Sequence, residues 1–130
     1  MGEDSSRALG ARGEILAARW LHRRGYTLLA RNVRTRHGEI DLIARDRRTL
    51  VFVEVKTRRA GARQAIRSDQ DPLLGLGSGQ RRRLRRLAAA WLADGSRPRP
   101  RADTVRFDVI AVVVDTRGRT RRIEHVEGAF

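Results

Sequence analysis

The chain has 130 residues, which is enough for one domain with a single core, and we expect residues 1–130 to form that domain. Its 29 Lys and Arg residues outnumber its 15 Asp and Glu residues, and the resulting net charge of +14 indicates a polyanionic partner. The absence of cysteine excludes disulfide bonds and thiolate metal sites, so any metal would need oxygen or histidine ligands.

The first predicted element is a helix from about Ser6 to Arg24, with Gly25 as its stop signal. Glu14 stands in the middle of this helix, and no basic residue lies three or four positions away to pair with it. It could reach solvent, or it could serve a site. Apolar residues recur beside it at helical spacing, which predicts a buried stripe: Ala11, Ile15, Ala18 and Leu21.

A first strand is predicted from about Thr27 to Val33, and two further β segments follow at Gly38–Ala44 and Leu50–Lys56. Side chains alternate between the two faces of a strand, so the third segment has one valine face and one mixed face. The valine face holds Val51, Val53 and Val55, and the mixed face holds Leu50, Phe52, Glu54 and Lys56.

The two segments predict an antiparallel hairpin that turns between Arg47 and Arg48. In that register Ile43 faces Phe52, Asp41 faces Glu54, and Glu39 faces Lys56. Directly opposed carboxylates destabilise a sheet unless a cation, the nearby lysine or protonation compensates.

A solvated face with cross-strand ion pairs is the alternative interpretation of this pattern. Because Leu50 and Phe52 require cover by another element, we favour a partly desolvated cleft at Glu54 and Lys56, which is a setting typical of functional acids. Lys56 is the only lysine of an arginine-rich chain, and an ammonium is not interchangeable with a guanidinium.

A long, flexible connection is predicted over residues 59–79, followed by a second helix at about Gly79–Ala93 and a last strand at Thr104–Asp115. The second helix has an apolar stripe through Leu84, Leu87, Ala88 and Trp91. Arginines that could hold phosphates occupy the rest of its surface, and Arg58 precedes the connection. The predicted phosphate contacts are Arg58, Arg82, Arg83, Arg85 and Arg86.

The strings GEIDLIA at 38–44 and VFVEVKTR at 51–58 closely resemble the YraN-type bacterial family, which is similar to the PD-(D/E)XK, or restriction-endonuclease-like, nuclease superfamily. The resemblance implies catalytic and metal-binding roles for Asp41, Glu54 and the helical Glu14, and a catalytic role for Lys56. The Val55 carbonyl would be a further metal ligand and Glu39 a secondary candidate, with Mg²⁺ or Mn²⁺ as the cofactor. The chain departs from the family pattern at Gln80, where members often carry a lysine.

We therefore expect an α/β, restriction-endonuclease-like three-layer domain with a mixed central sheet flanked by helices. The expected function is Mg²⁺-dependent endonuclease cleavage of DNA, with DNA favoured over RNA and with branched DNA as one candidate substrate. A non-catalytic nucleic-acid-binding or interaction module of the same fold is the alternative. A basic protein of acidic membranes or ribosomes is a third, and it predicts that Asp41 and Glu54 lie far apart.

The longest aliphatic run, near Val109 to Val114, is far shorter than the roughly 20 residues of a membrane-spanning helix. A signal-peptide pattern is also missing from the sequence. We therefore expect no membrane role and a cytoplasmic location, in which association with the nucleoid is one option. A homodimer is a further hypothesis.

Overall fold

The computed structural model describes residues 3–60, 77–98 and 100–130, and for residues 3–6 it describes the backbone alone. The elements within these ranges are two helices and five strands. In chain order they are α1 (Glu3–Arg23), β1 (Thr27–Thr35), β2 (Gly38–Asp46), β3 (Thr49–Arg59), α2 (Ser78–Ala93), β4 (Thr104–Val114) and β5 (Thr120–Val126).

The strands form one mixed sheet whose spatial order, β1-β2-β3-β4-β5, follows the chain. Neighbouring strands are antiparallel except β3 and β4, which are parallel and therefore need a crossover connection between them. Helix α2 lies in that crossover. The expected α/β architecture with a mixed central sheet is confirmed.

Each face of the sheet carries its own core beneath one helix. Under α1 the core contains Val51 and Val53 of β3. Under α2 it contains Leu50 and Phe52. This alternation confirms the predicted two faces of the strand, and it explains why a strand covered on both sides is apolar along its first half.

The predicted register of the hairpin is confirmed near its turn, where Ile43 pairs with Phe52. Strands β2 and β3 pair from Asp46 with Thr49 back to Leu42 with Val53. Beyond that point the pairs stop, because β2 continues along β1 while β3 continues along β4. The predicted pairs of Asp41 with Glu54 and of Glu39 with Lys56 are therefore not part of the ladder, since these residues lie past the divergence of their strands.

Expectations for α1 and for the last strand need correction, and a third expectation is not tested. Helix α1 begins at Glu3 rather than Ser6, and Ala11 of the predicted apolar stripe is exposed, while Leu16 and Ala17 are buried instead. The predicted last strand is followed by β5, whose Thr-Arg-Arg-Ile-Glu-His-Val sequence lacks a clear apolar alternation. The predicted connection at 59–79 falls mainly outside the described residues.

A buried carboxylate ties β4 to β5. The Asp108 side chain is fully buried and accepts hydrogen bonds from the Arg106 guanidinium at 2.9 Å and the Gly128 backbone N–H at 3.0 Å. Nε2 of His125 lies 2.7 Å from the same carboxylate. The partners of Asp108 come from β4, from β5 and from the segment that follows β5. The cluster therefore holds β4 and β5 together at this margin of the sheet.

Candidate functional site

Asp41 and Glu54 meet where β2 and β3 separate. The backbone N–H of Val55 donates a hydrogen bond of 2.8 Å to Oδ2 of Asp41. The carboxyl groups of Asp41 and Glu54 also share a hydrogen bond, and both residues are partly buried. The divergence frees the N–H of Val55 from pairing with β2, so that it can hold a side chain instead.

Glu14 reaches this place because α1 lies very close to β3. At Gly13 a Cβ atom would stand 1.8 Å from Oγ1 of Thr57, a distance that no packing tolerates. A glycine is therefore required at this contact. The next residue, Glu14, then projects beside Asp41 and hydrogen-bonds to its carboxyl group.

Three carboxylates converge here. One oxygen from each of Glu14, Glu39 and Asp41 can be chosen so that the three atoms lie within 4.8 Å of one another. Asn32 of β1 adds a hydrogen bond to Glu14 from a backbone with a φ of 50°, in the left-handed region that asparagine tolerates better than most residues. We call Glu14, Glu39 and Asp41 the acidic cluster.

Two members of the acidic cluster, Glu14 and Asp41, hold their protons more tightly than free carboxyl groups do. Burial, followed by repulsion from Asp41 and Glu39, raises the pKa of Glu14 to about 7. Burial and then repulsion from Glu54 also raise the pKa of Asp41. Without a cation, neutral solution therefore holds these groups close to half-protonation, which is the expected response of crowded, desolvated carboxylates.

Glu54 lies against basic and amide groups. Burial raises its pKa, while the charges of Lys56 and Arg83 and the hydrogen bond from Asp41 oppose that rise. The side-chain amide of Gln80 on α2 donates to Oε1 of Glu54 at 3.2 Å. Gln80, where the resemblance implies a departure from the family pattern, thus contacts Glu54 directly.

The sequence-predicted metal ligands are only partly brought together as expected. Glu14 and Asp41 belong to the acidic cluster, and the secondary candidate Glu39 completes it. Glu54 contacts the acidic cluster through its hydrogen bond with Asp41. For Val55 the described contact is made by the N–H rather than by the predicted carbonyl.

A cleft of about 750 Å³ opens beside the acidic cluster. Arginines on its walls were not among the predicted phosphate contacts, and Asn32 was not predicted to take part either. The signal that could have identified Asn32 is its place inside a predicted strand, where asparagine is disfavoured. The cleft is lined by Arg7, Gly10, Ala11, Glu14, Asn32, Arg34, Thr35, Gly38 and Glu39.

The predicted arginines of α2 differ in their surroundings. Arg83 and Arg86 line a second cavity next to the β1–β2 turn, whereas the Arg85 guanidinium lies 5.1 Å from the centre of the Phe107 ring. Arg82 is exposed on the helix. Arg58 lies on β3 opposite Val113 and is partly buried.

The donor set of the acidic cluster suits a hard divalent cation. Carboxylate oxygens are the ligands that Mg²⁺, Mn²⁺ and Ca²⁺ prefer. A cation between Glu14, Glu39 and Asp41 would also offset the charge repulsion that, after burial, raises the pKa values of Glu14 and Asp41. The contact of Asp41 with Glu54 further weakens the third interpretation of the sequence, which required these residues to lie far apart.

Comparison with known proteins identifies the family of the chain. The model of the family described as Uncharacterised protein family UPF0102 matches residues 13–112. This chain belongs to the UPF0102 family. The match includes the acidic cluster together with Glu54 and Lys56, and the predicted YraN-type resemblance is thereby confirmed.

Related UPF0102 proteins match along nearly the whole chain. One from Nocardia farcinica is 44% identical, and the alignment covers 95% of this chain and 89% of the relative. One from Parafrankia sp. is 47% identical, with 96% and 98% covered. One from Geobacter metallireducens is 41% identical, with 96% and 93% covered.

Neither α1 nor α2, nor any other helix in the described ranges of this UPF0102 protein, combines the length and apolar character that crossing a membrane requires.

Proposed function

We propose that this UPF0102 protein is an endonuclease that cleaves phosphodiester bonds in DNA with the help of Mg²⁺ or Mn²⁺. One observation carries the proposal: Glu14, Glu39 and Asp41 bring carboxylate oxygens within 4.8 Å of one another, and Glu14 and Glu39 line a cleft. Crowded acids in a strongly basic chain are best explained by a shared cation and an anionic substrate.

The acidic cluster would hold the cation, which supplies Lewis-acid chemistry and makes water a better nucleophile at neutral pH. Asp41 is oriented for this role, since the Val55 N–H fixes one of its oxygens. Glu54 supports Asp41 through their shared hydrogen bond. Binding would require Glu14 and Asp41 to give up protons, because both groups have raised pKa values.

Lys56 brings a positive charge close enough to lower the pKa of Glu54. In the proposed reaction its ammonium stabilises the negative charge that develops on the phosphate. Arg7 and Arg34 on the cleft walls would hold the flanking phosphates without reading sequence. The order Asp41, Glu54, Lys56 also resembles the motif of the restriction-endonuclease-like superfamily, which adds to this interpretation.

A non-catalytic nucleic-acid-binding module is the second candidate. The specific observation in its favour is that Glu54 already has partners in Gln80, Lys56 and Arg83, as a structural acid would. Under this alternative, DNA binding persists in EDTA and cleavage never occurs. We propose a cytoplasmic location for either activity, because bacterial DNA lies in the cytoplasm.

A cleavage assay tests the proposal. Linear, flapped and four-way-junction DNA are incubated with identically purified parent, Asp41→Asn and Asp46→Asn proteins in Mg²⁺, Mn²⁺ or EDTA. Asp46 is the matched control, since it lies on the same strand at the hairpin turn. We expect cleavage by the parent and the control in Mg²⁺ or Mn²⁺, and none by Asp41→Asn. Equal cleavage by Asp41→Asn, or no cleavage by the parent on any substrate, would overturn the proposal.

A further inference from the structure

A second cavity, of about 320 Å³, lies between α2 and the β1–β2 turn. Leu87 and Ala90 supply the apolar part of its wall. The guanidinium groups of two arginines and the imidazole of a histidine supply the polar part. The lining residues are Thr35, His37, Arg83, Arg86, Leu87 and Ala90. We call this cavity the α2 pocket.

The α2 pocket adjoins the cleft of the acidic cluster. Thr35 lines both cavities. Gly38 lines the cleft and packs on the far side against α2, where a Cβ atom would lie 3.2 Å from Leu87 and 3.6 Å from Arg83. A strand of nucleic acid held in the cleft could therefore place its next residue in the α2 pocket.

Arg83 lies at the boundary between the two cavities. It lines the α2 pocket, and its side chain approaches Gly38, which lines the cleft: a Cβ atom at Gly38 would lie 3.6 Å from Arg83. A ligand that spans both cavities would thus meet a guanidinium at the boundary, where a phosphate between two nucleosides would lie. Arg86 provides a second cation on the pocket wall. The charge favours an anionic ligand, while the apolar wall favours an uncharged, flat group.

A nucleobase with its flanking phosphates combines those two properties. Bases stack on guanidinium planes and apolar side chains, and the volume of the α2 pocket is at the lower end of the roughly 300–1,000 Å³ of small-molecule sites. A base inside a duplex cannot enter such a pocket, because it is stacked and paired. The pocket therefore selects for bases that are unpaired or extruded.

We propose that the α2 pocket binds one unpaired nucleobase next to the phosphodiester at the acidic cluster, so that the substrate class is single-stranded or locally unpaired DNA. This inference rests on the proposed function for the substrate, but it concerns a different set of side chains. It can therefore fail while the nuclease activity stands, and it can hold while cleavage is absent.

Binding is measured in EDTA by fluorescence anisotropy, so that cleavage plays no part. The ligands are a labelled single-stranded oligonucleotide, the same backbone with abasic residues at its central positions, and a blunt duplex of equal length. The first two carry the same charge, so their difference reports the bases. We expect the parent to bind the intact single strand about tenfold more tightly than the abasic one, as one stacked base would provide, and more tightly than the duplex.

Ala90→Glu fills the α2 pocket and places a negative charge there, whereas Ala89→Glu makes the same change at an exposed position of α2 outside the pocket lining. We expect Ala90→Glu to bind intact and abasic strands equally, and Ala89→Glu to keep the parent's preference. Matching melting temperatures would establish that both variants are folded.

Equal binding of intact and abasic strands by the parent would overturn the inference, and so would an equal loss of preference in the two variants. If Ala90→Glu cuts duplex and single-stranded DNA as the parent does, the pocket inference fails and the proposed function stands. If the base preference is found but no substrate is cut, the pocket inference stands and the proposed catalysis fails.

Discussion

The backbone N–H of Val55 donates a 2.8 Å hydrogen bond to the carboxylate of Asp41 across the point where β2 and β3 diverge. The bond holds the Asp41 side chain in place although the charges of Glu54 and Glu39 repel it. Crowding of this kind is unfavourable in the folded, metal-free protein, and it makes the cluster responsive to protons and cations.

Asp41→Asn should stabilise the metal-free protein at pH 8. Glu14 and Asp41 have folded pKa values raised to about 7, so their favourable contribution is fully present below the ordinary carboxyl pKa and is lost as pH rises through 7. The asparagine removes one of the opposed charges and should raise the unfolding free energy at pH 8 by about 1 kcal/mol, after allowance for partial exposure.

Urea unfolding in EDTA at pH 5 and at pH 8 measures this effect. The parent should lose more stability between the two pH values than Asp41→Asn does. Asp46→Asn should follow the parent. Parallel pH profiles for parent and Asp41→Asn would show that the cluster is not crowded as described.

Gly13→Ala should destabilise the fold by roughly 1–3 kcal/mol, because the new Cβ would meet Oγ1 of Thr57 at 1.8 Å and α1 would have to move away from β3. Gly10→Ala is the matched control one turn earlier. There a Cβ meets nothing within 4 Å, and alanine should stabilise the helix by roughly 0.5–1 kcal/mol.

Thermal and urea unfolding of the two variants compare these effects. Gly13→Ala should also weaken Mn²⁺ binding, because the shift of α1 carries Glu14 away from Asp41. If both alanines act alike on stability, the contact of Gly13 with Thr57 does not position the helix.

Lys56→Ala should abolish cleavage while leaving DNA binding within about threefold of the parent, since many arginines contribute to the charge of the chain. Lys56→Arg should restore little of the cleavage, because a planar guanidinium does not replace a compact ammonium. Single-turnover cleavage with saturating protein separates the chemical step from binding. Full activity of either variant would exclude Lys56 from the reaction.

Asp108→Asn should destabilise the protein by roughly 3 kcal/mol, because it leaves the partly buried Arg106 without its carboxylate. Burial raises the pKa of Asp108, but the hydrogen bonds from His125, Arg106 and Gly128 outweigh it and hold the pKa below the ordinary 3.8. Its stabilising contribution is therefore present above pH 3.8 and is lost as pH falls below that value.

Asp103→Asn removes an exposed ion pair with Arg48 and should change the stability far less than Asp108→Asn does, because solvent screens the exposed pair. Acid titrations monitored by circular dichroism compare the two variants with the parent. A similar small effect for Asp108→Asn would show that the buried cluster does not hold β4 to β5.

The fold could be predicted where the apolar pattern was strong. The alternation of Leu50 to Val55 predicted both faces of β3, and the symmetric turn at Arg47 and Arg48 predicted the register of the hairpin. Strand β5 could not be recognised, since its Arg122 and Glu124 form an ion pair on a half-exposed edge and leave few apolar positions.

The candidate site was predictable in its acids but not in its geometry. Asp41 was named from the hairpin register, which sets it opposite Glu54, and Glu14 was named from the family resemblance. The place of Glu39 beside them depends on the divergence of β2 from β3, which is set by long-range pairing with β1 and β4. The α2 pocket likewise arises from tertiary packing of Gly38 against α2 and leaves no local sequence pattern.

Calorimetric titration of Mn²⁺ into the metal-free protein tests the central claim most directly. The account predicts a saturable site in the parent and in Asp46→Asn, at least tenfold weaker binding by Asp41→Asn, and release of protons on binding near pH 7 as Glu14 and Asp41 ionise. Mn²⁺ binding of equal affinity by the parent and Asp41→Asn, or no binding by either, would contradict it.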